Sequence, residues 1–334
     1  MIKLEVINDW IDDKEYLDFV INKSDNGTIY HHIKFLSYHN ESFYTNKSKI
    51  HLKFYKKGRI IASCLAVLYR DSNGKFVLNS PFGGSYGGIL VDNEISYLEY
   101  KNVYNLFLEF CHEKSITIIQ LINTTSIHSK NSKCEYDEFI LLSEDFSVLK
   151  SDILLVYNCK ENNEDLISTF ERKTRTELRQ ALNNKDISIE IIRGITSEVY
   201  DVLLLSQTRL NSKPTHSLED LVKIDQLFPG SIHTFVVKNQ NKIAAGITVV
   251  KVNEKVLNTF YIFDDFESRD LKVNHFAYYH VLKWAKLNQF KYLDFGPTTF
   301  GFTPNFPLLK FKEKFGTFPV NRKTFIKTFD KNKV

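Results

Sequence analysis

Cysteine is scarce and scattered in this sequence. Cys64, Cys111, Cys134 and Cys159 form no C-x-x-C pair and have no histidine at metal-ligand spacing, so neither a metal site nor a disulfide framework is expected. Cys64 and Cys111 lie in apolar runs and read as buried free thiols, in keeping with a reducing compartment. Residues 1–12 lack the basic-then-apolar text of a secretory leader. No stretch approaches the roughly 20 apolar residues of a membrane helix, and the expected location is cytoplasmic. Proline and glycine, 7 and 13 in all, nowhere gather into a linker, which suggests domains that pack rather than dangle. Charge of one sign is missing too: 44 Lys and Arg against 40 Asp and Glu leave a net +4, which makes no case for DNA.

What is present points to an ordinary globular chain in two parts. At 334 residues it exceeds one core and suits two domains of about 150 residues each. A composition 43% hydrophobic and 25% charged can fill such cores. The 27 Phe and 17 Tyr fall largely in β-branched runs, where bulky side chains pack a sheet.

One pattern is used twice. Ile50 to Tyr55, the turn Lys56-Lys57-Gly58 and Arg59 to Tyr69 read as a hairpin; so do Ile232 to Val237, the turn Lys238 to Asn241 and Lys242 to Val250. A third strand follows each, Lys75 to Asn79 and Lys255 to Phe263. A helix follows each meander. Val103, Leu106, Phe107, Phe110 and Cys111 mark the first, and Phe276, Tyr279, Val281, Leu282 and Trp284 the second, with Asn274 as its expected cap. A buried strand comes next in both, Ile116 to Ile122 and Phe290 to Phe295. The copies lie about 180 residues apart, which argues for tandem domains, 1–150 and 151–334. Each is expected to be α/β, a twisted, mixed and mostly antiparallel sheet flanked by helices.

That order of elements resembles the acetyltransferase (GNAT) fold, and the closing text is more specific. Lys291-Tyr292-Leu293-Asp294-Phe295-Gly296, a short insert, and Leu308-Leu309-Lys310-Phe311-Lys312-Glu313-Lys314-Phe315-Gly316 resemble the end of Fem-type acyltransferases. Fem enzymes add amino acids to the peptidoglycan side chain from aminoacyl-tRNA, and a sister group modifies surface polysaccharides. Ser80-Pro81-Phe82-Gly83-Gly84-Ser85-Tyr86-Gly87-Gly88, Lys213 to Asp220 before Leu227-Phe228-Pro229, and the basic helix Glu171 to Gln180 are similar to that sister group.

Within these motifs the candidate residues are few. Asp294 ends an apolar strand; its carboxylate either takes a proton from an attacking amine or caps the next turn. The resemblance singles out Lys312, beside Lys310 and Lys314, to hold a phosphate or an acyl oxyanion; solvated lysines are the alternative. Arg172, Arg175 and Arg179 share one helix face opposite Phe170, Thr174, Leu178 and Ala181, a stripe that grips phosphates or simply meets solvent. The loop Gly83 to Gly88 does not match G-x-G-x-x-G, and Ser85 and Tyr86 are its candidate substrate contacts. His216, before the expected cap Ser217, is a candidate base or a structural histidine.

The resemblance implies an N-acyltransferase using acyl-CoA, with a nucleotide- or lipid-linked amino sugar of a capsule or lipopolysaccharide pathway as acceptor and contact with the membrane periphery. The alternative is an aminoacyl-tRNA-dependent Fem-type enzyme, with tRNA as partner and a peptidoglycan precursor as acceptor. A third reading is a scaffold that binds such a precursor without reacting. One departure bears on the donor. GNAT enzymes carry a glycine-rich turn before the central helix for the diphosphate of CoA, whereas Phe266 to Asn274 contains no glycine.

Overall fold

A β-branched run, a tight polar turn and a second β-branched run give a hairpin in each half of the chain. In the first, β2 (Ser48–Lys56) and β3 (Arg59–Arg70) are joined by Lys57 and Gly58, both at positive φ, the backbone that a two-residue hairpin turn requires. The structure, a computed structural model, describes residues 1–11, 13–160 and 165–329. Its packing separates two units, Met1–Asp152 with the stretch from Asn321 on, and Ile153–Val320.

The first unit opens with β1 (Ile2–Ile7) and the short helices α1 (Lys14–Asp18) and α2 (Ile33–Leu36). After the hairpin come β4 (Phe76–Ser80), β5 (Leu90–Val91), α3 (Tyr97–Glu113), β6 (Ile118–Ile122) and α4 (Cys134–Ser143). Its sheet runs β1-β2-β3-β4-β6, closed by β15 (Phe318–Thr328), with β4 and β6 parallel and the other neighbours antiparallel. Helix α3 starts at a reciprocal cap, Ser96 with Glu99. It buries Tyr100, Val103, Tyr104, Phe107, Phe110 and Cys111, the three-to-four spacing that puts one apolar stripe on the sheet.

The second unit holds the later half of β7 (Ser147–Asn158), then α5 (Arg172–Asn183), β8 (Ile187–Arg193), α6 (Ser197–Arg209) and α7 (Leu218–Leu227). The repeated meander follows as β9 (Ile232–Asn239), β10 (Lys242–Lys251) and β11 (Val256–Asp264), then α8 (Val273–Leu287) and β12 (Tyr292–Pro297). A small hairpin, β13 (Thr299–Phe300) with β14 (Thr303–Pro304), leads into α9 (Phe306–Glu313). The sheet order is β7-β12-β11-β10-β9-β8, with only β11 and β12 parallel.

Two expectations change. The sequence puts everything after 150 in the second domain, yet the stretch from Asn321 on belongs to the first unit, because β15 pairs with β6 from Thr324↔Ile122 to Thr328↔Ile118. Residues 330–334 lie outside the described part. Asn274 does not cap α8: Lys272 takes that position, left-handed at φ 62°, and Asn274 sits inside the helix. Cys64, Cys111 and Cys159 are buried free thiols and Cys134 is half-buried.

Candidate active site

In the second unit β11 and β12 pair over only three positions, Val256↔Tyr292 to Asn258↔Asp294. β11 continues to Asp264 along β10, whereas β12 turns irregular after Asp294 along β7. The two parallel strands therefore part at Asn258 and Asp294. A bulge lies beside the parting: Val249 pairs with Thr259 and Thr248 with Tyr261, so Phe260 is the extra residue. One extra residue reverses which side chains face the core. Leu257 and Ile262, odd and even, accordingly pack in the same core cluster. Tyr261 faces the α6–α7 connection, its hydroxyl 2.7 Å from His216 Nδ1 and 2.9 Å from Thr215 Oγ1. The His216 ring also rests on Phe260, 4.8 Å between centroids, and Ser217 caps α7 reciprocally with Asp220. His216 thus stands beside the bulge.

Asp294 is 2% exposed. Its Oδ1 accepts the N–H of Gly296 at 2.7 Å, and Gly296 has φ +74°, a conformation that glycine adopts without strain. The turn-capping role is therefore realised. Lys312 is 3% exposed and does not fan outward with Lys310. Its ammonium donates to the carbonyls of Phe295, Gly296 (3.3 Å) and Pro297 (3.2 Å). An ammonium has three protons, and these three carbonyls use them all. Lys312 accordingly brings a fixed charge to the end of β12 rather than a spare donor for an oxyanion. Burial pulls its pKa from 10.5 down to about 8, against the opposing pull of the Asp294 carboxylate.

The motif's phenylalanines explain how this is held. Phe295 stacks on Tyr278 of α8 at 4.5 Å, and Phe315 and Phe311 flank the same ring at 4.9 and 5.8 Å. The Tyr278 hydroxyl and Thr259 Oγ1 are buried facing each other beside the parting. Nothing in their spacing marks them in the sequence.

The connection from β11 to α8 is built on Asp264 instead of glycines. Its carboxylate takes Nε of Arg269 on both oxygens (3.1 and 3.0 Å), Arg209 at 3.0 Å, Asn274 at 3.0 Å and the N–H of Phe266 at 3.1 Å. Burial pushes this carboxyl up, but the bonds from Asn274 and Arg269 outweigh it and hold it below its usual range. Glu177 of α5 reaches the same helix start, 3.8 Å from Lys272 Nζ and 3.5 Å from His275 Nε2. Carboxylates thus hold the side chains of Lys272, Asn274 and His275 near the positive end of α8. A cleft of about 810 Å³ between α6 and the β9–β10 turn, reaching Asp264, is lined by Glu198, Asp264, Asp265 and Glu267 against Arg209 and Lys242. These residues do not fit the diphosphate of CoA.

The other candidates lie apart. Arg172 and Arg179 are exposed on α5, while Arg175 is half-buried and donates to the Ser168 carbonyl at 3.2 Å. Phe170, Thr174, Leu178 and Ala181 form the buried face. Ser85 and Tyr86 belong to the first unit. Ser85 is half-buried. Tyr86, expected along a substrate groove, is 4% exposed and packs between Tyr30 and His128 at 5.8 and 4.5 Å; its ring is core. The first unit also holds a carboxylate that sequence reasoning missed, Asp137, buried between Tyr100, Tyr104 and Asn123. Among the described residues no cluster of His, Cys, Asp or Glu is placed to hold a metal, and no helix is long and apolar enough to cross a membrane.

No protein-family model and no curated protein sequence matches the chain. Solved structures do. A tandem GNAT protein from the clavulanic acid biosynthesis pathway superposes with a TM-score of 0.56 at 9% identity, covering 98% of each chain. The fold is a tandem GNAT fold. FemX shares it with a TM-score of 0.67 at 14% identity over 97% of both chains. So does the C-terminal domain of an Agrobacterium fabrum protein assigned as a lysylphosphatidylglycerol synthetase, at 0.56 and 11% identity over 95% of this chain and 91% of that one. Within the tandem GNAT fold, the parting of β11 and β12 is a feature of the second copy.

Proposed function

We propose that the chain is an N-acyltransferase of the Fem-like kind, moving an acyl group from a carrier ester to an amine on a cell-envelope precursor. The observation that carries this reading is the parting of β11 and β12, with the buried Asp294 carboxylate and the buried Lys312 charge at its apex. Attack of a neutral amine on an ester carbonyl needs positioning, a proton acceptor and a positive field where the oxyanion develops. Asp294 takes the proton, directly or through a water, and returns it to the alkoxide or thiolate that departs as the carrier's acyl C–O or C–S bond breaks. Lys312 supplies the field and, by tying three carbonyls, holds the strand end in place. His216 beside the bulge is the second candidate proton carrier, and the β11 edge beyond Asn258 offers backbone groups to the acyl carbonyl.

The carboxylates at the start of α8 favour a donor without a diphosphate at that point, an aminoacyl ester of tRNA, with Arg172 and Arg179 on its phosphates. The second reading keeps acetyl-CoA as donor and a nucleotide- or lipid-linked amino sugar as acceptor. It has in its favour the loop Gly83 to Gly88, which leads from β4 toward α3 in the first unit. The purified protein should be offered labelled acetyl-CoA and labelled aminoacyl-tRNA, each with a panel of UDP-amino sugars and UDP-muramoyl peptides. Transfer from tRNA supports the first reading and transfer from CoA the second. No transfer from either donor to any acceptor would sink the enzyme proposal and leave a binding scaffold.

A further inference from the structure

The connection from β12 to α9 ends in an apolar tip. Phe300 pairs with Thr303 around Gly301 and Phe302, and Phe306 is the first residue of α9. Phe300 is 80% exposed, and Phe302 and Phe306 are 69% each. Their base is firmly held. The Thr298 N–H donates to the Ile153 carbonyl at 2.8 Å, the Ile153 N–H to Thr299 Oγ1 at 2.9 Å, and Asn305 Oδ1 caps α9 at 3.2 Å. No Asp or Glu lies between Asp294 and Glu313, while Lys310 is exposed and Lys314 half-exposed.

Three rings at this exposure present about 400 Å² of apolar surface, the size of patch that soluble proteins keep for a partner. Counted over both partners, a contact limited to this tip would bury about 800 Å², below the roughly 1,000 Å² of a stable protein–protein contact. The patch is enough for rings that enter a bilayer surface, where each gains without a complementary groove. An apolar tip without carboxylates and with lysines behind it complements anionic headgroups. We propose that the Phe300–Phe306 hairpin docks on an anionic membrane surface, its phenyl rings entering the boundary between headgroups and acyl chains. This goes beyond acyl transfer and stands or falls without it.

Full-length protein would be sedimented with vesicles of phosphatidylcholine and phosphatidylglycerol in equal parts, and with phosphatidylcholine alone. The wild type should bind the mixed vesicles more tightly. The triple variant Phe300→Ser, Phe302→Ser, Phe306→Ser should bind at least about tenfold more weakly, since each buried ring contributes on that order, with its thermal unfolding unchanged. Phe302→Trp should gain blue-shifted emission on the mixed vesicles, beyond that of the two native tryptophans. Equal binding by the triple variant, no binding by the wild type, or a tryptophan that stays solvent-exposed overturns the proposal. So does loss of self-association, in place of vesicle binding, on removing the rings.

Discussion

Burying an ammonium costs several kcal/mol unless its protons find acceptors, and at Lys312 the carbonyls of Phe295, Gly296 and Pro297 supply them. Lys312→Met would strand those carbonyls, each at about 1–3 kcal/mol if left unpaired. Denaturant unfolding should therefore show a loss of about 2–4 kcal/mol in total after partial rehydration. A lysine aimed only at substrate would leave the melting temperature unchanged. The pH dependence follows from the same group. Its folded pKa of about 8 lies below the usual 10.5, so the unfolded chain binds more protons between those values and stability rises with pH across that window. The rise is up to about 3 kcal/mol, and a wild-type minus Lys312→Met difference curve that stays flat from pH 8 to 10.5 would contradict it. Asp294→Asn keeps an acceptor for the Gly296 N–H but removes the base. Turnover should fall by roughly 10²–10⁴-fold if Asp294 accepts the proton, with folding intact; full activity would leave it a turn cap alone.

Helices α3 and α4 are tied through one carboxylate. Tyr100 and Tyr104 of α3 donate to Asp137 of α4 at 2.6 and 2.5 Å, and Asn123, just after β6, donates to its other oxygen. Burial pushes this carboxyl up from 3.8 to about 6, against the pull of those bonds. The folded state keeps the proton longer, so the stability it contributes is complete below pH 3.8 and lost as pH rises through 6. Asp137→Asn should abolish that slope, about 3 kcal/mol in all. Asp137→Ala should cost about 2–4 kcal/mol by orphaning two hydroxyls. Urea unfolding at pH 4 and pH 7 measures both, and an unaltered slope in the Asn variant would refute the assignment. Sequence patterns reached the elements themselves: the twin hairpins, the stripe of α3 and the Ser217 cap are local, written in turn residues and spacing. What they missed is non-local. The bulge at Phe260 depends on register against β10, Lys312 turns inward only because β12 ends beside it, and the Asp264 hub joins residues from three elements.

Over the whole chain a net charge of +4 gives little long-range pull on RNA, so binding of tRNA must come from local clusters. On α5, Arg172 and Arg179 are exposed, while Arg175 is half-buried and donates one bond to the Ser168 carbonyl. Replacing Arg172 and Arg179 with alanine should weaken tRNA binding and lower the slope of log affinity against log salt by about 1.5–2, one phosphate each. An unchanged slope in filter binding across a salt series would return the stripe to solvent. The chain's route has its own consequence. It leaves the first unit inside β7, after Asp152, and re-enters it inside β15, at Asn321. During synthesis β6 therefore waits, one edge unpaired, until all of Ile153–Val320 has been made. A strand edge left open for that time is a place where nascent chains stick to one another. Translation that stops short of residue 321 would release a complete second unit joined to a first that cannot close, a product for the cell's proteases rather than a shortened enzyme.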